Sequence, residues 1–237
     1  MQVKINKRYT FKGSDCLWRY IDIHQLLYFI NTESIFFAPL SAFDDPLEGI
    51  SEKYLRHERQ YPIDGYKLNS KLEKLQRYIY ASCWFLGDTE SMAMWQTHSN
   101  PDSVAIEFRA KDLVRLILSK SRAFASRDFP ILFHGKVEYL KLSPVDSKTF
   151  KRTRQQTIGF LKDKSYKHEE EFRFIALQSN KRKTFRGFDL PVGSLRKLDF
   201  HIFTHPEMEL WKHDNLAKVL KNFSLHGKLK KSGILKR

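Results

Sequence analysis

Apolar and polar residues follow two spacings along this chain, and together these predict a mixture of strands and helices. Short apolar runs are typical of buried strands; the clearest covers residues 79–85 and is closed by the turn residues Gly87 and Asp88. Apolar residues at spacings of three and four predict helices, and one of these begins after Asp22, which we expect to cap it. Another helix is expected after the turn, with Thr89 as its N-cap.

The same patterns extend over the rest of the chain. They predict further strands at 17–21, 34–38, 104–108, 131–140 and 166–177. They predict helices over 23–30, 52–61, 67–79, 110–120, 149–161 and 207–223. No linker, repeat or low-complexity segment divides these elements. We therefore expect residues 1–237 to form a single α+β domain with a basic C-terminal tail, in which helices flank a bent mixed or antiparallel sheet.

The charge balance is strongly basic. The chain has 42 Lys and Arg against 27 Asp and Glu, which gives a formal net charge of +15. Basic residues cluster at 151–154, at 181–183 and at 228–237. Clusters of this kind predict attraction to a polyanion such as nucleic acid, and the alternative is a charged surface that serves only solubility.

Cysteine content and hydropathy bear on where the protein works. Two cysteines, Cys16 and Cys83, cannot form a tetrathiolate zinc site, and so few cysteines suit a reducing cytosol. No apolar run approaches the roughly 20 residues that cross a bilayer, and the N-terminus lacks the apolar core of a signal peptide. We expect a cytoplasmic protein without a membrane partner; the sequence does not indicate its oligomeric state.

Two acidic residues and an arginine follow one another in the strand predicted at 166–177. Alternation along a strand would place Glu169, Glu171 and Arg173 on one face. Two carboxyl groups this close take unequal pKa values, and Arg173 would orient one of them, as catalysis requires. The alternative is an edge strand whose charges face water and prevent aggregation.

A cation also interrupts the apolar strand at 17–21. Arg19 needs a partner there, either a carboxylate of the core or a bound anion, for which the planar guanidinium is suited. The strand, turn and helix from residue 79 onward are expected to form the floor of a pocket, with Ser82, Glu90, Ser91 and Trp95 close together.

Acidic and histidine residues elsewhere give weaker indications of chemistry. Turn formation is a sufficient reason for Asp45, which precedes a proline, so Asp44 and Glu48 are only weak candidates for a metal or ribose site. Among the histidines, His201 and His205 are separated from any shared helix by a proline, and we expect core or surface roles rather than metal binding.

Several short motifs occur together in a recognisable order. They are Leu17-Trp18-Arg19-Tyr20, Phe43-Asp44-Asp45-Pro46-Leu47-Glu48-Gly49, Ser82-Cys83-Trp84, Glu90-Ser91-Met92-Ala93-Met94-Trp95, Val104-Ala105-Ile106 and Glu169-Glu170-Glu171-Phe172-Arg173. This set, which spans nearly the whole chain, resembles the microbial family called domain of unknown function 2971. The layout is more distantly similar to that of ADP-ribosyltransferases.

The second resemblance implies a function and a set of site residues. By analogy, Arg19, Tyr20, Ser82 and Trp95 would bind NAD, which is the substrate. The analogy places the catalytic groups at Glu171, Glu169 and Arg173, with no metal. A carboxylate near the ribose would stabilise the positive charge that develops as nicotinamide leaves. The implied activity is NAD cleavage, with nucleic acid as the acceptor, in phage defence or as a toxin.

Two other functions fit the same sequence. One is a nucleic-acid-binding or effector module without catalysis, which uses the Lys and Arg patches. The other is a metal-dependent nuclease that uses Asp45, Glu169 and Glu171.

Overall fold

A computed structural model describes residues 1–5, 9–45, 48, 74–124, 127–140, 159–179 and 185–234. The predicted α+β class is confirmed, because ten strands form one mixed sheet that is flanked by helices. Two further strands form a small parallel sheet of their own.

The elements within the described ranges have the following bounds. The strands are Gln2–Ile5 (β1), Cys16–Ile21 (β2), Ser34–Pro39 (β3), Ile79–Gly87 (β4), Val104–Arg109 (β5), Ile131–Lys136 (β6), Glu138–Leu140 (β7), Leu161–Asp163 (β8), Glu171–Leu177 (β9), Phe188–Pro191 (β10), His201–Thr204 (β11) and Leu229–Lys231 (β12). The α-helices are Ile23–Thr32 (α1), Met92–His98 (α2), Ala110–Ala123 (α3) and Leu210–Asn222 (α4).

The chain divides into two compact units, and each is assembled from separate stretches of sequence. The first unit comprises Met1–Tyr9, Phe36–Cys83 and Ser121–Asp189. The second comprises Thr10–Ile35, Trp84–Lys120 and Leu190–Arg237. Because the chain passes repeatedly from one unit to the other, no linker or change of composition marks them in the sequence. The expected single domain stays a prediction.

In the first unit, β9 is an interior strand. It pairs antiparallel with β6, which pairs in parallel with β1, and β4 lies on the other side of β9. One part of the core below these strands consists of buried apolar side chains, namely Leu40, Ile79, Ala81, Phe160 and Ile175. Burial of such side chains supplies the main stabilisation of the unit.

In the second unit, β2 lies between β5 and the end of β4. It is antiparallel to both, and β11 continues the sheet beyond β5 before β12 ends it. An aromatic-rich cluster packs around β2 and α2, and its buried members are Cys16, Trp18, Tyr20, Met94, Trp95 and Ala105.

Several local predictions are confirmed. Asp22 caps α1 in a capping box, in which its carboxylate accepts a hydrogen bond from the Gln25 amide at 2.8 Å. The predicted strand at 104–108 and helix at 110–120 correspond to β5 and α3.

Other local predictions are wrong for identifiable reasons. The N-cap of α2 is Ser91 rather than Thr89, because β4 continues to Gly87 and the Ser91 hydroxyl accepts from the Met94 amide. The strand predicted at 166–177 begins only at Glu171, after a 3₁₀ turn over Lys164–Glu169. The helix predicted at 149–161 lies outside the described residues up to 158, and residues 161–163 form β8 instead of its last turn. The helix predicted at 52–61 and residues 67–73 of the next one also lie outside the described residues.

Candidate functional site

Arg173 is the centre of a buried group of charges in the first unit. Its guanidinium donates two hydrogen bonds to Glu171, at 2.7 and 2.8 Å, and two to Glu48, at 2.7 and 2.8 Å. A fifth hydrogen bond, at 2.8 Å, reaches the Gly159 carbonyl. Arg173 and Glu48 are completely buried. Every N–H direction of the guanidinium is therefore used in a bidentate arrangement that suits a dry interior.

Lys162 brings a further carboxyl group into the same cluster. Its ammonium lies 2.5 Å from Glu169, 3.1 Å from Glu171 and 3.3 Å from Glu48. We call the five residues Glu48, Lys162, Glu169, Glu171 and Arg173 the ion-pair cluster. It contains three carboxyl groups and two cations, so one bound proton makes it neutral.

The pKa shifts indicate which carboxyl group holds that proton. Burial raises the pKa of Glu169, and the neighbouring Glu171 raises it further, to about 7, although Lys162 lowers it in part. Burial acts in the same direction on Glu171, but Arg173 and Lys162 outweigh it and hold the pKa of Glu171 well below its usual range. The pKa values of the two carboxyl groups are thus shifted in opposite directions, as expected for a close pair, so Glu169 binds a proton more readily than Glu171.

Polar and aromatic groups surround the ion-pair cluster. The Tyr139 hydroxyl accepts a hydrogen bond from the Glu171 amide at 2.8 Å, and the Tyr166 ring lies 4.5 Å from the Lys162 ammonium. The partly buried Cys83 thiol is nearby; burial raises its pKa well above the usual value, more than the guanidinium lowers it. A thiol of this kind is a poor nucleophile at neutral pH.

The two sequence interpretations of Glu169, Glu171 and Arg173 have different outcomes. The edge-strand alternative is wrong, because β9 is interior and these side chains are buried. The three side chains do come together, although Glu169 lies in the 3₁₀ turn rather than on β9. Both oxygens of Glu171 are occupied by cations, which leaves this carboxylate little capacity for a ligand.

The predicted cofactor-binding residues are distributed over both units. Ser82 lies in the first unit and is completely buried. Arg19, Tyr20 and Trp95 lie in the second; the Arg19 guanidinium is 5.8 Å from the Trp84 ring, and it is half-exposed. The rings of Tyr20 and Trp95 pack edge to face at 4.8 Å.

Hydrogen bonds hold the Tyr20 and Trp95 rings in place. The Tyr20 hydroxyl accepts from the Ser91 amide at 2.8 Å, and the Trp95 indole N–H donates to Glu90 at 3.0 Å. Glu90 also accepts from Ser232 and Gly233. This network attaches the chain after β12 to the start of α2, and both aromatic rings belong to the core of the second unit.

A second polar group in this unit joins Cys16, Glu107 and His201. The thiol donates to one Glu107 oxygen at 3.1 Å, and the His201 Nδ1 atom lies 2.8 Å from the other. Burial, followed by the hydrogen bond to Glu107, raises the pKa of Cys16 to about 12. The carboxylate therefore stabilises the neutral thiol, which is the reverse of what a catalytic cysteine needs.

An open groove lies between α1 and α4 of the second unit, and we call it the α1–α4 groove. Its volume is about 400 Å³. The residues that line it are Ile23, Leu27, Asp102, Met208, Trp211, Lys212, Asn215, Leu216 and Val219. Trp211, in the helix predicted at 207–223, is 63% exposed. Lys212 and Asp102 form an ion pair at 2.6 Å.

The described ranges contain neither a metal-binding group of side chains nor a membrane-spanning helix. No group of three or more His, Cys, Asp and Glu side chains among these residues is arranged to hold a metal ion. None of the helices in these ranges has both the length and the apolar character needed to span a bilayer. The basic clusters at 151–154 and 181–183, and residues 235–237 of the third, lie outside the described residues.

Sequence reasoning missed several members of these sites. Lys162 directly follows the helix predicted at 149–161, and Tyr139 lies within the strand predicted at 131–140, so neither was a candidate. Glu48 was only a weak candidate, because the local turn was a sufficient reason for the acidic residues there. The signal that could have identified these partners is Arg173 itself, a cation between two phenylalanines in an apolar strand. Such a cation, once buried, requires carboxylates, and these can come from distant segments.

Comparisons with protein-family models, with curated proteins and with solved structures found no match to this chain. The resemblances described from the sequence motifs therefore stay predictions.

Proposed function

We propose that the protein is a nucleic-acid-binding module that attracts the phosphate backbone through basic segments of its chain. One observation carries the proposal. The 17 residues of the three basic clusters, at 151–154, 181–183 and 228–237, contain eleven Lys and Arg and no Asp or Glu. Most of the net charge of +15 is thus concentrated in short segments of the sequence, and concentrated charge binds polyanions better than scattered charge.

The ion-pair cluster also favours binding over catalysis. Arg173 and Lys162 engage the carboxylate of Glu171 on both oxygens, and the group is buried. Such a network stabilises a fold and specifies how its segments pair. Both cysteines are free thiols, so we further propose a reducing location, the cytoplasm.

The test is binding of fluorescently labelled single-stranded and duplex oligonucleotides, followed by anisotropy over a range of salt concentrations. We expect the affinity to fall steeply with salt, by about 10³-fold or more between roughly 50 and 200 mM if six or more phosphates are contacted. Absence of binding at the lowest salt concentration, or an affinity that does not depend on salt, would refute the proposal.

A second candidate function is NAD cleavage of the ADP-ribosyltransferase type, acting in phage defence or as a toxin. The unequal carboxyl pair supports it, since the cations hold Glu171 as an anion while the pKa of Glu169 is raised. In that reaction, Glu171 would stabilise the charge on the ribose. Arg19, Tyr20, Ser82 and Trp95 are the residues that the resemblance assigns to NAD.

Nicotinamide release measures this activity directly. We would compare the wild-type protein with Glu171→Gln and with Glu170→Gln, a matched change at an exposed neighbour. Turnover that is lost only in folded Glu171→Gln supports the enzyme. If no nicotinamide is released with or without nucleic acid, the candidate fails, whatever the binding assay gives.

A further inference from the structure

The four tryptophans of this protein have very different environments. Trp18, Trp84 and Trp95 are buried, whereas Trp211 is 63% exposed at the start of α4. Exposing a large aromatic ring to water is unfavourable, and exposed rings beside a groove are typical of binding sites. The Trp211 indole N–H donates a hydrogen bond to Glu209, so its polar edge is already satisfied and the ring is held in place. The Lys212 ammonium lies over one face of the ring, 5.6 Å from its centroid, so what Trp211 offers to a ligand is the other face.

The other residues that line the α1–α4 groove restrict the classes of ligand that it could bind. Its walls are apolar, formed by side chains such as Ile23, Leu27 and Val219. The exposed amide of Asn215 also lines it, and within the described ranges this side chain has no hydrogen-bond partner. An amide presents a donor and an acceptor side by side, which matches the edge of a nucleobase. A volume of about 400 Å³ is at the lower end of the range for small-ligand sites.

Both acids and lysines lie around the groove. Asp102 pairs with Lys212 and Glu209 accepts from Trp211, whereas Asp22, Glu207 and Asp214 are adjacent in sequence to residues that line the groove. Lys218 and Lys221 are exposed further along the same helix. Positions 211, 215 and 218 recur at helical spacing, so the ring, the amide and an ammonium follow one another along one side of α4.

We propose that the α1–α4 groove binds an unstacked nucleobase of single-stranded nucleic acid, stacked on Trp211 and contacted at its edge by Asn215. The inference rests on the proposed nucleic-acid binding and specifies the form of the ligand. A base within a duplex is already stacked on its neighbours, so the site distinguishes single strands from duplexes. Lys218 would lie near the adjoining phosphate.

Trp211 itself provides the readout. A mixed-sequence single-stranded oligonucleotide is added to the full chain, and tryptophan fluorescence is recorded in parallel with anisotropy of a label on the oligonucleotide. Since the other three tryptophans are buried, we expect quenching to come from Trp211 and to be absent in Trp211→Phe. Trp211→Ala is expected to weaken single-strand binding by about 5- to 150-fold, as loss of a stacking platform does. Trp211→Phe should retain most of the affinity.

Leu210→Ala is the matched control, because Leu210 is equally exposed, adjacent in sequence and absent from the groove lining. We expect it to bind as the wild type does. Salt-dependent binding without quenching, unchanged by Trp211→Ala, overturns the base-binding groove and leaves the proposed function standing. Equal quenching by duplex of the same length also overturns it. If the wild-type protein binds no oligonucleotide, both proposals fail.

Discussion

At the scale of single residues, Glu169 determines how stability depends on pH. Its pKa is about 7 in the folded protein, against an ordinary value of 4.5. Between these values the folded protein holds a proton that the unfolded chain releases, so the free energy of unfolding falls as pH rises through this window and is level above it. Solvent and the neighbouring charges screen this effect, so the full shift sets an upper limit of about 3 kcal/mol. Relative to the wild type, Glu169→Gln should gain stability within that limit between about pH 5 and pH 8, as measured by urea unfolding.

Two comparisons isolate the effect of Glu169. Glu170→Gln changes an exposed carboxylate next to it and should track the wild type at every pH. Burial, followed by Arg122, lowers the pKa of His134 to about 4, so His134 adds stability as pH rises between about 4 and 6.5. This opposite contribution is present in both proteins and cancels in their difference. A difference that is constant with pH would contradict the role assigned to Glu169.

At the scale of elements, Arg173 connects β9 to two other segments of the first unit. Its bonds reach Glu48, in the loop after β3, and Gly159, before β8. Arg173→Met would leave two buried carboxylates without their main partner, and the expected cost is about 3–5 kcal/mol in the free energy of unfolding. Chemical denaturation measures it, with exposed Arg186→Met as a control that should change stability by less than about 0.5 kcal/mol.

A double variant distinguishes two causes of that cost, the burial of carboxylates without a partner and the loss of packing contacts. In the double variant Arg173→Met with Glu48→Gln, the Glu48 carboxylate that would lack its partner is replaced by a neutral amide. We expect it to be more stable than Arg173→Met alone, because a neutral amide is less costly to bury than a carboxylate. Additive losses in this cycle would show that the cluster acts only through packing.

The N-cap of α1 makes a smaller contribution to the free energy of unfolding than the ion-pair cluster does. Asp22→Ala removes the acceptor for the Gln25 amide, and the expected loss is about 1 kcal/mol in the free energy of unfolding. Asp214→Ala, which removes an exposed carboxylate within α4, should have almost no effect. Equal losses in the two variants would mean that the capping bond contributes nothing.

These elements also show what the sequence predicts well. The β2–α1 and β5–α3 pairs were predictable because each combines a strand pattern, a helix pattern and, at Asp22, a local capping signal. The start of β9 was not predictable, because no periodicity in the sequence marks the six-residue 3₁₀ turn before it, which Asp163 caps and whose Glu169 contacts Lys162. The same applies to Ser91, whose selection over Thr89 depends on how far the pairing of β4 with β2 extends.

For the candidate site, residue types were predictable and their partners were not. Glu169, Glu171 and Arg173 were selected because their spacing brings opposite charges together within one segment. Lys162 and Glu48 come from other segments, and no pattern in the sequence specifies which distant charges meet. The exposure of Trp211 was not predictable either, since periodicity cannot distinguish a core position from an exposed apolar one on the same helix.

At the scale of the whole molecule, much of the positive charge lies in three short clusters of the sequence, at 151–154, 181–183 and 228–237. This clustering predicts that the position of basic residues, as well as their number, determines nucleic-acid affinity. Replacing residues 181–183 by glutamine and replacing exposed Lys12, Lys111 and Lys197 by glutamine each remove three positive charges. Only the first change is expected to reduce substantially the slope of log affinity against log salt concentration. For three lost phosphate contacts to a single strand, the magnitude of this slope falls by about 2.

The measurement is oligonucleotide anisotropy over a salt series, with thermal unfolding to establish that both triple variants remain folded. Long-range attraction depends on total charge and is reduced equally in both proteins, so any difference between them comes from direct phosphate contacts. Because phosphate contacts release condensed counterions, that difference should shrink as salt is raised. Equal slopes for the two variants would mean that the protein attracts nucleic acid through its overall field, without a defined basic segment at the interface.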